Sequence, residues 1–288
     1  MNDRVMKDVK ELRDKLIEEL KSIYDEKEAI SITRFLLGSF GINGLVADPD
    51  LVVNAEMEKK ISVALSELLE YKPIQYVCGK AYFYNLELEV NPSVLIPRPE
   101  TEELVYWIVN EHLGRKALKI LDIGTGSGCI ILALGNLLTT PHLTAIDISE
   151  EALSTAQRNA MRLGILVNYH KINILDEGEW TLRDRFDVIV SNPPYVREKE
   201  KTAMQVNVLD YEPASALFVP DEDPLLYYRA IAKFGRWFLE KEGHLYLEIN
   251  EELGKEVVEL VENEGYTDIS LKKDFQGKDR MVRAHMRI

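Results

Sequence analysis

The chain has 288 residues, about twice the usual length of one domain, with 46% hydrophobic and 29% charged residues. That balance belongs to a folded protein able to bury a core without disulfides or metals. Lysine plus arginine number 35 against 49 acidic residues, a formal charge of −14, which excludes nucleic acid held by bulk electrostatics, because phosphate binding needs clustered positive charge.

The N-terminal segment MNDRVMKDVKELRDKL is charged throughout and carries no apolar export stretch. No run approaches the roughly 18 apolar residues of a membrane span. Cys78 and Cys129 match no zinc or redox spacing, and the five histidines (112, 142, 170, 244, 285) are scattered, so no metal site is expected. With only two cysteines and no export signal, the expected location is the cytoplasm.

Up to residue 80 the apolar positions repeat at helical spacing. Val5, Val9, Leu12, Leu16 and Leu20 share one helix face. Ile30, Ile32, Phe35, Leu36 and Leu37 continue the pattern, and GINGLVADPD then supplies a loop. Residues 54–70 read as another helix with Met57, Ile61, Ala64, Leu65 and Leu68 inward. Residues 1–80 are therefore expected to form a small helical domain. Residues 81–91 alternate around Asn85 and predict a β-hairpin, so that 81–99 reads as a hairpin linker.

From residue 100 to 288 helices and strands alternate. The helices fall at 100–113, 127–138, 150–163, 224–240 and 251–264. Strands are expected at 118–123, 142–147, 166–172, 186–191, 243–249, 267–273 and 280–287. Such alternation predicts an α/β domain with a seven-stranded, mostly parallel, Rossmann-like sheet covered on both faces. The short turn DFQGKD makes the last two strands an antiparallel hairpin.

Asp122-Ile123-Gly124-Thr125-Gly126-Ser127-Gly128 follows a strand and opens a helix. Alternate glycines permit a tight turn and close approach of a ligand to the backbone. A dinucleotide fingerprint would need glycine where Cys129 stands, and no lysine follows, so neither a nicotinamide site nor a Walker loop is indicated. Asp147 ends the next strand, where an acid can accept hydrogen bonds from both ribose hydroxyls. Its other reading, a helix N-cap, suits Ser149 better. Strand, glycine loop, helix, strand and acid resemble the class I S-adenosylmethionine-dependent methyltransferase fold. The resemblance implies that S-adenosylmethionine (leaving as S-adenosylhomocysteine) lies along Gly124, Thr125, Gly126, Ser127 and Gly128. It also implies Asp122 near the amino-acid end of that cofactor, and Asn173 and Ile174 beside the adenine.

Ser191-Asn192-Pro193-Pro194-Tyr195 closes the fourth core strand, at the strand ends where open α/β sheets hold ligands. Consecutive prolines lock the backbone and remove two N–H donors. The Asn192 side-chain oxygen and Pro193 carbonyl then form an acceptor pair suited to a planar –NH₂, with Tyr195 able to stack on it. An amide nitrogen is a poor nucleophile because its lone pair is delocalised. Two acceptors on its hydrogens would orient that pair toward a methyl donor, which places Asn192 against cofactor and substrate alike.

The NPPY motif is shared by methyltransferases of DNA-base amines and of glutamine side chains. Ile96-Pro97-Arg98-Pro99-Glu100-Thr101-Glu102, Pro73-Ile74-Gln75-Tyr76 with Gly79, LDIGTGSGCI, SNPPYV, Glu212-Pro213 with Ala216-Leu217, and Gly277-Lys278-Asp279-Arg280 together resemble the HemK/PrmC family. The resemblance implies methylation of the side-chain amide nitrogen of the GGQ glutamine in class 1 peptide chain release factors. Residues 1–80 are expected to dock this protein substrate, because a single glutamine offers too little surface for specificity, and one of two readings of the Arg98 segment has Arg98 with Thr101 closing over cofactor or substrate. In its own right Pro99 with the acids after it favours a helix start. For Glu212, orientation of the substrate loop is the minority reading; for Asp274 with Arg280 a structural ion pair is favoured over a catalytic role. Two departures concern the substrate-side loop: Phe218 to Pro224 replace a glycine-rich turn, and Asn250 stands where a glycine often follows Glu-Ile. Alternatives are glutamine methylation of a ribosomal protein, DNA adenine amino-methylation, and a cofactor-binding adaptor without catalysis; the net charge and the lack of a target-recognition domain argue against DNA.

Overall fold

The computed structural model describes residues 2–42 and 53–286, residues 2–8 by their backbone alone. The side chain of Val5, most of the GINGLVADPD loop and residue 287 of the last expected strand lie outside the described residues. The chain divides into two compact units, Met1–Gly79 with Gln205–Tyr211, and Lys80–Met204 with Glu212–Ile288.

The first unit is helical: α1 (Asn2–Leu20), α2 (Glu26–Ser39), α3 (Ala55–Leu69) and the single turn α4 (Ile74–Cys78). Asp25 and Asn54 cap α2 and α3 by accepting the N–H groups of Glu28 and Met57, which satisfies otherwise orphaned donors. Leu16, Leu20, Leu36, Ile61 and Leu68 fill the core, whereas Ile30 is turned to solvent. One segment from far along the chain joins this unit. Tyr211, in the short helix of residues 206–211, donates its hydroxyl to the Glu70 carbonyl at 2.8 Å.

The second unit opens with a hairpin, β1 (Lys80–Phe83) and β2 (Leu86–Glu89). Its two-residue turn holds Tyr84 and Asn85 at φ 49° and 63°, the left-handed pair that matches strand twist. The hairpin, expected as a linker, is built into this unit. Phe83, Leu86 and Leu88 join the core of α5 (Pro99–Glu111), and the Asn159 amide bridges Glu89 N–H and carbonyl at 2.6 and 3.0 Å.

After α5 come β3 (Lys119–Ile123), α6 (Cys129–Leu137), β4 (His142–Asp147), α7 (Glu150–Leu163), β5 (Val167–Lys171), β6 (Phe186–Ser191) and the two-residue β7 (Val196–Arg197). Then follow α8 (Val206–Tyr211), α9 (Ala214–Leu217), β8 (Phe218–Val219), α10 (Leu226–Phe238), β9 (Leu239–Glu248), α11 (Gly254–Asn263), β10 (Thr267–Lys273) and β11 (Asp279–His285). The main sheet has seven strands in the order β10-β11-β9-β6-β3-β4-β5. β11 runs opposite to the other six strands, antiparallel to both its neighbours, β9 and β10. Side chains alternate across it. Ile120, Val188, Val190 and Tyr246 face a core with α5 and α6, while Leu121, Ile189, Leu245 and Leu247 face one with α10 and α11. β7 pairs with β8 in a separate parallel ribbon, so the Phe218 segment is ordered without a glycine-rich turn.

From the central β3 the chain winds to one edge through β4 and β5, then returns through β6 to the other. The switch point therefore lies between β3 and β6, and a crevice outside the carboxyl ends of these strands is the expected ligand site.

Candidate active site

That crevice is a cleft lined, among others, by Arg98, Gly126, Asp147, Asn173, Asn192 and Ile231. Its floor is the loop after β3. Gly124, Gly126 and Gly128 take φ of 73°, 55° and 83°, a left-handed conformation that costs other residues free energy. For this reason α6 starts at Cys129 rather than at 127. Gly124 and Thr125 donate their N–H groups to the Ile146 carbonyl at 2.9 and 3.1 Å, tying the loop to β4. Gly124, Thr125, Gly126 and Ser127 line the cleft; Gly128 does not, and a Cβ there would press on Leu132 and Ala156.

Asp147 stands at the end of β4. Its two oxygens accept the N–H groups of Gly126 and Ser149, each at 2.9 Å, and burial raises its pKa. Ser149 is the cap of α7, accepting Ala152 N–H at 3.1 Å, so Asp147 keeps spare lone pairs for a ligand. Asn173 and Ile174 reach the cleft together with Ile148, Ile172 and Leu175, a largely apolar slot fit for a flat heterocycle.

Asp122 is fully buried beneath the glycine loop rather than exposed in the cleft. It accepts the Thr125 hydroxyl at 2.7 Å. Its other oxygen has no hydrogen-bond partner of normal geometry, facing the first turn of α6 near Ile131. Desolvation pushes its pKa from 3.8 up to about 7, with Asp147 adding to the rise. An acid whose pKa rises on folding costs the fold nothing below its unfolded pKa, costs progressively more as pH climbs from there to the folded value, and costs a constant amount above it. Asp122→Asn should therefore raise ligand-free stability by about 2–4 kcal/mol near pH 8 and by almost nothing near pH 4. Urea unfolding at the two pH values checks this; an equal change at both would remove the charge from the explanation.

Beyond β6, Asn192, Pro193 and Pro194 line the cleft. Asn192 Nδ2 donates to Thr101 Oγ1 at 3.1 Å, and Thr101 Oγ1 donates to Glu248 Oε2 at 2.7 Å. Tyr195, expected to stack on a substrate, stands outside the lining, because its hydroxyl donates to Glu248 Oε1 at 3.0 Å. Thr101 is buried and holds Asn192 from behind, where a closing contact was expected. Arg98 lines the cleft and pairs with the buried Glu212 at 2.6 Å, and Glu212 also accepts the Ile96 N–H at 3.1 Å. Glu212 thus braces segment 96–98, while the residues that follow it (Pro213, Ser215, Ala216) line the cleft.

Asp274 and Arg280 form an ion pair at 3.0 Å, with Asp274 also accepting the N–H groups of Gln276 and Lys278. This secures a turn outside the cleft lining. Asn250 donates to the Tyr195 carbonyl at 3.1 Å and to Glu200 at 3.2 Å, a brace on the segment after the proline pair that a glycine could not supply. Sequence reasoning missed Glu248, which ends an ordinary alternating strand. Among the described residues no group of three or more His, Cys, Asp or Glu could hold a metal ion, and no helix is long and apolar enough to cross a membrane.

Residues 104–216 match the family "Methyltransferase small domain". The chain is similar to a release factor glutamine methyltransferase of Flavobacterium psychrophilum, 46% identical over 285 residues, covering 97% of this chain and 99% of that one. A second, from Bacteroides thetaiotaomicron, is 41% identical over 269 residues, covering 92% and 96%. In fold it is similar to a methyltransferase of Pyrococcus furiosus, with TM-score 0.52, 18% identity and coverage of 82% of this chain and 100% of that one. A 16S rRNA N2 G1207 methyltransferase of T. thermophilus, solved with AdoMet and guanosine, gives TM-score 0.52, 17% identity and coverage of 72% and 50%.

Proposed function

We propose that this chain, which belongs to the HemK/PrmC family of release factor glutamine methyltransferases, methylates the side-chain amide nitrogen of the GGQ glutamine in class 1 peptide chain release factors. The observation that carries the chemistry is Asn192: its amide nitrogen is spent on Thr101, which leaves its oxygen to accept from a substrate –NH₂ in the cleft.

S-adenosylmethionine supplies the electrophilic methyl and leaves as S-adenosylhomocysteine. The residues fit it. Asp147 offers ribose acceptors, the apolar slot at Ile172 to Leu175 suits adenine, and Asp122, buried beneath the glycine loop with its pKa raised to about 7, offers, when ionised, a counter-charge to a cofactor whose net charge is positive. Asn192 Oδ1 and the Pro193 carbonyl hold the two hydrogens of the glutamine –NH₂ and aim its lone pair at the methyl carbon. Bound there, the cofactor would supply a methyl carbon to that lone pair and retain the sulfur–carbon electron pair on its sulfur. The nitrogen, then positive, releases one proton to water, so no side chain must act as a base beforehand. The rate gain is positional and electrostatic. Pro194 closes the wall beside the glutamine, Arg98 braces the substrate side through Glu212, and Tyr195 acts through Glu248 rather than by stacking.

Incubation with labelled S-adenosylmethionine tests the class of substrate. Label should enter a class 1 release factor and leave duplex DNA unlabelled; the reverse would overturn the reading. The relatives lend no support to the ribosomal-protein or DNA alternatives. A cytoplasmic location accords with a substrate that acts in translation.

The helical unit, residues 1–79 with 205–211, docks the release factor outside the GGQ loop, because one glutamine offers too little surface for specificity. A peptide carrying only the GGQ segment should then show kcat/KM at least about tenfold below that of the whole factor, which is about 1.4 kcal/mol of lost binding. Cofactor affinity should be the same in both assays. Equal kcat/KM for peptide and whole factor would deny the unit this role.

A further inference from the structure

We propose that ionised Glu248 decides which end of the Asn192 amide meets the substrate, acting through the single hydroxyl proton of Thr101. The inference rests on the reading of Asn192 as the substrate's acceptor and makes Glu248 and Thr101 positioning residues for that reaction.

The argument is one of proton counting. Thr101 Oγ1 lies 2.7 Å from Glu248 Oε2 and 3.1 Å from Asn192 Nδ2. A hydroxyl has one proton to give, and a carboxylate can only accept. With Glu248 ionised the threonine proton is committed to it, and only a lone pair faces Asn192. That lone pair can meet an N–H but not a carbonyl. The amide therefore turns its nitrogen to Thr101 and leaves its oxygen for the cleft.

Protonated Glu248 inverts the chain. It would donate to Thr101, Thr101 would donate to Asn192 Oδ1, and the amide would present its –NH₂ to a substrate that itself offers only N–H groups. Donor would meet donor. One charge, two hydrogen bonds away, thus sets the acceptor on which lone-pair orientation depends.

The surroundings are arranged around that charge. Glu248 is 1% exposed, and Tyr195 Oη occupies its other oxygen at 3.0 Å. Arg280 on β11 favours the ionised form and Glu100 on α5 opposes it. Tyr228 on α10 and Cys129 at the start of α6 also lie within its field. Burial is the largest influence and raises the Glu248 pKa against the bonds from Thr101 and Tyr195. A buried carboxylate of this kind is expensive, and an apolar side chain of similar volume is often no less stable. Stability alone does not account for an acid at this position.

Two measurements on the full chain test the proposal. The first is single-turnover methyl transfer to a release factor at saturating S-adenosylmethionine. Glu248→Gln should lower the rate at least about tenfold, because it removes the charge that commits the Thr101 proton and allows an amide N–H to donate to Thr101, which turns Asn192 over. In an Asn192→Asp background the same change should raise the rate, since Thr101 is then free to donate to the aspartate. Thr101→Ser should stay near native and Thr101→Val should fall. A Glu248→Gln loss of equal size in both backgrounds, or a native rate for Glu248→Gln, would overturn the proposal. If Glu248→Gln fails to fold, the Thr101 pair decides: equal rates for serine and valine would overturn it. Native enzyme that leaves the release factor unmethylated would instead remove the reading of function on which it rests.

The second measurement needs no cofactor. In isotope-labelled protein the Asn192 side-chain amide signals should shift with the same midpoint as the Glu248 carboxyl, and that midpoint should vanish in Glu248→Gln. Asn192 signals unmoved through the Glu248 titration would contradict the coupling even if the enzyme is active.

Discussion

Asn192→Ala should lower single-turnover methyl transfer by about 10²–10³-fold, or about 2.7–4 kcal/mol of transition-state stabilisation. The variant removes the acceptor for one substrate proton and, with it, the orientation of the nitrogen lone pair. It also leaves Thr101 without the Nδ2 contact at 3.1 Å, but Asn192 belongs to neither core cluster of the sheet, so the fold should persist. The loss should fall on the transfer step, with cofactor affinity changing far less. Asn192→Asp keeps an oxygen of nearly the same shape and should retain more activity than the alanine variant. The structure also says why it should not match native enzyme: an aspartate oxygen would face a Thr101 lone pair while Glu248 holds the hydroxyl proton. Near-native rates for both variants would reduce Asn192 to a strand-ending residue.

Asp147→Ala should weaken S-adenosylmethionine binding by about 1.5–3 kcal/mol, or about 10–100-fold, because the lost acceptor is charged. Asp147 also accepts the N–H groups of Gly126 and Ser149, so the alanine variant loosens the glycine loop as well as losing the ribose contact. Asp147→Asn separates the two effects, since it retains one acceptor for the loop. Calorimetric titration should order the affinities native, then asparagine, then alanine. Unchanged affinity in a folded alanine variant would remove Asp147 from the ribose.

The two chemical motifs were legible because each is contiguous and ends a strand. GTGSG needs left-handed glycines, and three are present in one loop. Asp147 and Asn192 each close a parallel strand of one sheet, so the switch-point rule brings them to one cleft. What could not be read is what supports them. Glu248 reaches Thr101 across 147 residues and Tyr195 across 53, and an acid ending an alternating strand carries no local sign of burial. Tyr195 reads as a stacking ring when only its neighbours in sequence are visible; a hydrogen bond to β9 turns its hydroxyl away. Gly128 looks like a ligand contact in the motif, yet its lack of a Cβ serves packing against Leu132 and Ala156.

The hairpin shows the same division. Asn85 marks its turn locally, but membership of the second unit depends on Phe83, Leu86 and Leu88 meeting α5, which no periodicity reveals. Likewise Gln205–Tyr211 sits late in the chain, within a stretch that reads as part of the larger domain, yet clusters with the first helices. Its anchor is a Tyr211 hydroxyl on a backbone carbonyl, a contact without a sequence signature.

Tandem mass spectrometry of a release factor after reaction with native enzyme tests the central claim most directly. One added methyl should map to the side-chain amide nitrogen of the GGQ glutamine, and a factor with that glutamine replaced by alanine should gain none. A methyl on any other residue, or undiminished transfer to the alanine factor, would contradict the account.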